Sequence, residues 1–135
     1  MATFNKFDSF VEALAEKVHN LGSDQLMVAL TNTAPVAGNS VLTNLTEITY
    51  TNLSSRVLST TSSSQTAGLY KLVVADLVLT ASGAVGPFRY VAVYNNTATN
   101  KELIGWADYG SSISLASGET FTIDSDQVNG LLTLQ

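Results

Sequence analysis

The chain contains no cysteine, two prolines and a single histidine, and few of its residues carry charge. Without cysteine there is no disulfide framework, no thiolate zinc site and no thiol nucleophile, and the redox compartment is left open. Charged residues make up 13% of the 135 positions, against roughly 25% in average proteins. Ser, Thr and Asn fill that deficit, which excludes an acidic disordered tail and a collagen-like chain. The basic residues Lys6, Lys17, Arg56, Lys71, Arg89 and Lys101 stand singly. They form no stripe to neutralise a row of phosphates, so nucleic acid is not an expected partner. No basic segment followed by an apolar one opens the chain, and no apolar run approaches the ~20 residues a bilayer needs. The expectation is a soluble protein without an export signal or a membrane partner.

What is present divides into two parts. Phe7, Phe10, Val11, Leu14, Val18 and Leu21 recur at three- and four-residue spacing, which predicts one amphipathic helix from about Asp8 to Asn20. Ser9 with Glu12 has capping-box spacing, Asp8 is an alternative cap, and Gly22 supplies the stop. From Asp24 onward, β-branched and aromatic residues come in short runs separated by Gly, Asn, Ser and Pro. Strands are predicted at Leu26–Thr31, Arg56–Thr61, Leu69–Thr80, Phe88–Tyr94, Leu103–Ala107, Ile113–Leu115, Thr120–Asp124 and Leu131–Leu134. Ser117-Gly118 and Asn129-Gly130 favour tight reversals. The pattern predicts a single all-β domain over residues 1–135, with an N-terminal helix segment (1–22) and a β-sandwich or barrel (23–135).

Residues 33–55 and the Ser/Thr run Thr60–Thr66 read as the least regular stretches. A long loop in a small domain is uncommon unless it binds something or is ordered by a partner. The 33–55 segment is therefore either a partner-ordered arm or a cover for its own sandwich.

The residues mark no catalytic constellation. His19, near the end of the helix, complements the helix C-terminus when charged and has no nucleophile or orienting acid marked beside it. The carboxylates Asp76, Glu102, Asp108, Glu119, Asp124 and Asp126 fall mostly beside turns, and no spacing singles out a glycosidase pair. Asp124, Asp126 and Asn129-Gly130 lack the ligand at Val128 and the distal Glu of an EF-hand, leaving at most a weak calcium site of strand-end oxygens. No cofactor is called for. The sequons at Asn44, Asn52 and Asn95 arise readily in so Asn- and Ser/Thr-rich a chain.

Several phrases suggest a family. Leu26-Met27-Val28-Ala29-Leu30-Thr31-Asn32-Thr33-Ala34-Pro35, Ser63-Ser64-Gln65-Thr66-Ala67-Gly68, Gly86-Pro87-Phe88-Arg89-Tyr90-Val91 and Ile104-Gly105-Trp106-Ala107-Asp108-Tyr109-Gly110 resemble small virion proteins of tailed bacteriophages. The likeness runs from Phe4-Asn5-Lys6-Phe7 to Gly118-Glu119-Thr120-Phe121. It implies a non-enzymatic head decoration, or cement, protein of jelly-roll type. Such a protein is made in the host cytoplasm and held on the outer surface of the capsid as a dimer or trimer in contact with the major capsid protein. No functional residues carry over from the resemblance.

Apolar residues outside the predicted strands supply the candidate partner contacts: Phe4, Leu42, Leu45, Ile48, Tyr50 and Leu53, with Arg56 beside them. A rival reading is a tail-associated or fibre module that binds a host surface glycan on Trp106, Tyr90, Tyr94 or Tyr109. A further rival is a carbohydrate-active enzyme using paired carboxylates.

Overall fold

A computed structural model describes residues 2–135. Among them are ten strands and one α-helix: β1 (Phe4–Lys6), α1 (Asp8–Ala15), β2 (Leu26–Thr31), β3 (Val57–Leu58), β4 (Thr60–Thr66), β5 (Leu69–Val74), β6 (Leu77–Thr80), β7 (Val85–Asn95), β8 (Leu103–Leu115), β9 (Thr120–Ile123) and β10 (Leu132–Leu134). All pairings are antiparallel, in a five-stranded sheet β1-β8-β7-β2-β3, a three-stranded sheet β10-β5-β4 and the pair β6-β9. Inward side chains of all three merge into one apolar cluster, with Val28, Leu30, Val91 and Ile104 from the large sheet meeting Leu72, Val74, Leu79 and Ile123 from the small ones. The expected all-β architecture with one N-terminal helix is present.

β2 shows why its run is apolar without alternation. Leu26, Val28 and Leu30 face that main core, whereas Ala29 belongs to a second cluster on the opposite face of the sheet with Phe7, Ala92, Tyr94 and Leu103. A strand buried on both faces has no polar side to show.

The helix is shorter than the periodicity predicts. It ends at Ala15, and Lys17 takes a left-handed φ of 69°. Lys17 N–H donates to Leu14 O and Val18 N–H to Ala13 O, the paired bonds of a Schellman stop made without glycine. Gly22 lies beyond it. Neither Ser9 nor Asp8 caps the start; Phe7 occupies the cap position without a side-chain bond, and Asp8 N–H donates to Ala37 O at 2.9 Å. Phe7 and Phe10, three residues apart, are fully buried in different clusters, while Val11, expected on the stripe, is 62% exposed. After so short a helix, Val18 and Leu21 reach the protein through turns.

Other boundaries move for identifiable reasons. The predicted strand Leu69–Thr80 divides at Ala75-Asp76, and the inward residues change from Leu72 and Val74 to Leu77 and Leu79. A one-residue change of phase turns every side chain to the other face; here it turns Asp76 out to accept from Ser125 N–H at 2.8 Å. The predicted strands Leu103–Ala107 and Ile113–Leu115 are one strand. From Phe88 to Tyr90 on β7, the partner moves from Ile113 to Asp108 on β8, so the extra residues bulge around Gly110, whose φ is +88°. β7 begins before its expected start, with Pro87 at a register shift where no ladder N–H is required. The Ser117-Gly118 reversal forms, with Glu119 N–H donating to Ala116 O, but the strands it joins do not pair with each other. The Ser/Thr run 60–66, read as irregular, is the strand β4.

Candidate functional site

The 33–55 segment is ordered by its own chain. Bridges join Val41 to Glu102, Glu47 to Thr31 and Leu53 to Ala81, and Ile48 N–H donates to Leu30 O. All seven candidate contacts are half-buried. Leu42 and Leu45 pack on the second cluster, and Phe4, Ile48, Tyr50 and Leu53 pack on the main core. Tyr50 Oη accepts from Leu30 N–H at 2.9 Å and donates to Glu47 Oε1 at 2.7 Å, and burial pushes its phenol well above the ordinary tyrosine range. Arg56 lies 3.7 Å over the Tyr50 ring and donates to Val28 O at 2.6 Å. Of the two readings of the segment, the structure has the cover. Between Val41 and Leu53 its exposed positions are Thr43, Asn44, Thr46, Glu47, Thr49 and Thr51.

Phe4 is held in the same way. A Cβ added at Gly105 would lie 2.5 Å from Asn5 O and 2.5 Å from the Phe4 ring, so glycine is what lets β1 and Phe4 lie across β8. The aromatic platforms of the glycan reading are largely engaged internally. Trp106 packs on Phe7 at 4.5 Å, Tyr94 is buried, and Tyr109 packs edge-on to Phe121 with a buried hydroxyl. Asp76, Asp108, Glu119 and Asp126 have local partners, whereas Glu102 Oε2 is buried without one. Asp108 takes a two-pronged ion pair from Arg89, which holds its carboxyl below the usual range. Asp126 is lowered by the turn it caps, accepting from Asn129 and Val128 N–H, and Glu119 accepts from Ala116 N–H.

A groove of about 630 Å³ lies between the end of α1 and the β10-β5-β4 sheet, lined by Leu14, Val18, His19, Asp24, Tyr70 and Leu134 among others. Beside it a polar cluster is buried that the sequence did not reveal. Asn95 Oδ1 accepts from Thr97 and Ala98 N–H, which fixes the orientation of its amide. The amino group then donates to Asp24 Oδ2 at 2.6 Å and faces His19 Nδ1 at 3.0 Å. His19 Nδ1 must be the acceptor, so the proton of the neutral ring sits on Nε2, which has no partner. Burial lowers the His19 pKa, offset in part by the carboxylates of Glu102 and Asp24. With one lone pair engaged and the other nitrogen protonated, this imidazole is poorly placed to act as a base. The only sequence sign of the cluster was a His close behind a helix; Asn95 and Asp24 lie 76 and 71 residues from their partners in it.

Among the described residues no group of three or more His, Cys, Asp or Glu is arranged to hold a metal ion, and no helix is long and apolar enough to cross a membrane. The fold and its surfaces define a predominantly β protein of antiparallel sheets with a pinned surface strap. No protein-family model, curated protein or solved structure matches the chain.

Proposed function

We propose that the chain is a decoration or cement protein of a tailed-phage head, a β-sandwich of jelly-roll type that lies on the outer capsid surface and bridges neighbouring major capsid subunits without covalent bonds. The observation that carries this reading is the strap. The strap is fastened to the large sheet at Ser40 and Ile48 and to β6 at Ser54, so between Val41 and Leu53 a charge-poor row of hydroxyl and amide side chains is presented on a rigid support. A cement protein works by fitting a fixed surface against more than one subunit, and repetition over the shell raises avidity even where each contact is modest. The half-buried Leu42, Leu45, Ile48, Tyr50 and Leu53 hold the strap down, and its outward Thr43, Asn44, Thr46, Thr49 and Thr51 are the contact surface in this reading. The resemblance to small virion proteins agrees with it, and copies of the chain contact one another on the shell. The glycan-binding alternative draws less support, because most of its aromatic platforms are occupied by the core.

Cryo-EM of intact particles tests the reading. Density for the chain over capsomer junctions is expected, and loss of its gene is expected to lower the temperature at which filled heads rupture. Density confined to the tail, or heads of unchanged stability, would overturn it.

A further inference from the structure

β4 is the longest strand that pairs on one side only among the described residues. The two-residue turn Ala67-Gly68 has positive φ at both positions, 52° and 84°, which is a type I′ hairpin. In such a hairpin the flanking residues, Thr66 and Leu69, form a hydrogen-bonded pair, and the alternation of the ladder then directs Ser64 toward β5 as well. The N–H and C=O groups of Ser63 and Gln65 point the other way, out of the sheet edge. No backbone group among the described residues reaches them.

Natural edge strands are guarded by Lys, Pro, short length or bulges. β4 has a bulge at its Thr60/Ser62 end and none of the other guards over Ser62–Thr66. No residue between Arg56 and Lys71 is charged. In a chain of net charge −5, this is a surface where two copies can meet without opposing their carboxylates.

We infer that β4 pairs with β4 of a second copy, antiparallel about a two-fold axis at Ser64, joining two three-stranded sheets into one of six strands. The inference takes the self-association in the reading above and assigns it a strand, a register and an axis. In this register Ser63 faces Gln65 of the other copy, and each of the two such pairings supplies two backbone hydrogen bonds. Ser62 faces Thr66, and Ser64 faces its own counterpart as a non-hydrogen-bonded pair, with Cβ atoms about 4.5 Å apart. Side chains that meet are small and polar or neutral, and the bulge lies outside the seam. Pairing one residue out of this phase would oppose groups already bonded to β5. A seam of one strand pair is small for a stable interface, so weak, concentration-dependent dimerisation is expected.

The absence of native cysteine makes the test direct. Ser64 and Thr66 are both exposed, so substitutions there leave the core intact. Under mild oxidation Ser64→Cys is expected to give a disulfide-linked dimer and Thr66→Cys, displaced from the axis, is not. Ser64→Lys and Ser64→Glu are each expected to be monomeric by sedimentation at concentrations where the parent chain is dimeric, and an equimolar mixture of the two to recover a heterodimer. Amide exchange at Ser63 and Gln65 is expected to slow with concentration, while Ser64 is already protected in the monomer. A parent chain that stays monomeric at a few hundred micromolar, dimers that survive Ser64→Lys, or equal cross-linking at both cysteine positions would overturn the proposal. These measurements use purified protein, so they stand or fall separately from the location of the chain in a virion.

Discussion

Asn95 and His19 are held together by a bond whose direction is fixed from the far side of the amide. Thr97 and Ala98 N–H groups claim Asn95 Oδ1, leaving the amino group to meet His19 Nδ1 at 3.0 Å. The ring is therefore held neutral by hydrogen-bond geometry as well as by burial. The same amino group donates to Asp24, tying the turns after α1 to the end of β7.

Burial lowers the folded-state pKa of His19 below the ordinary value of about 6.5, so the unfolded chain takes up its proton at a higher pH than the folded one. Stability is then unaffected by this residue well above pH 6.5 and falls as pH drops from there toward the lower folded value. Urea denaturation between about pH 7.5 and 5 is expected to show this loss in the parent chain and a flatter dependence in His19→Gln. Equal slopes would remove the assigned role.

Asn95→Ala is expected to cost about 2–4 kcal/mol, because it strands the N–H groups of Thr97 and Ala98 and leaves Asp24 and His19 without their shared donor. Asn95→Asp keeps the acceptor and sets a second carboxylate against Asp24. Its deficit is expected to be larger at pH 7 than at pH 4, as read by chemical denaturation at both.

Tyr50→Phe removes the hydroxyl that accepts from Leu30 N–H and donates to Glu47. A cost of about 1–3 kcal/mol is expected, with faster amide exchange at Leu30 and Ile48 as the local sign that the strap has loosened. Unchanged exchange there would mean the strap is held without this bond.

Gly105→Ala places a methyl group against Asn5 O and the Phe4 ring. A loss of about 1–3 kcal/mol is expected, with β1 released from β8. The NMR shifts of Phe4–Lys6 should move toward random-coil values while those of β2 and β7 stay in place.

Two neighbouring helix positions separate periodicity from burial. Phe10→Ala is expected to cost about 3–5 kcal/mol and Val11→Ala to stay within about 0.5 kcal/mol, although both lie on the predicted stripe. Thermal denaturation of the two variants checks the contrast.

Much of the secondary structure was legible because it is governed by local chemistry. Leu26–Thr31 is a strand at the expected residues, and its short, nearly continuous apolar run fits a strand covered on both faces. The Ser/Thr run 60–66 gives no strand signal because hydroxyl side chains carry no burial pattern; pairing with β5 makes it a strand. Residues 33–55 read as irregular and contain no strand, their apolar residues being spaced by contact with two clusters instead of by any helical or strand period.

The amino-acid sequence by itself determined the β character of residues 24–135, the position of the one helix, and the absence of thiol chemistry and basic patches, all of which follow from residue type and short-range spacing. The tertiary structure decided where α1 stops, how Leu69–Thr80 divides between two sheets, that the strap lies on its own chain, and that His19, Asp24 and Asn95 meet. Each of these depends on which distant backbone group or apolar surface is available to satisfy a residue. Contacts across 70 residues or more leave no periodic trace in the chain.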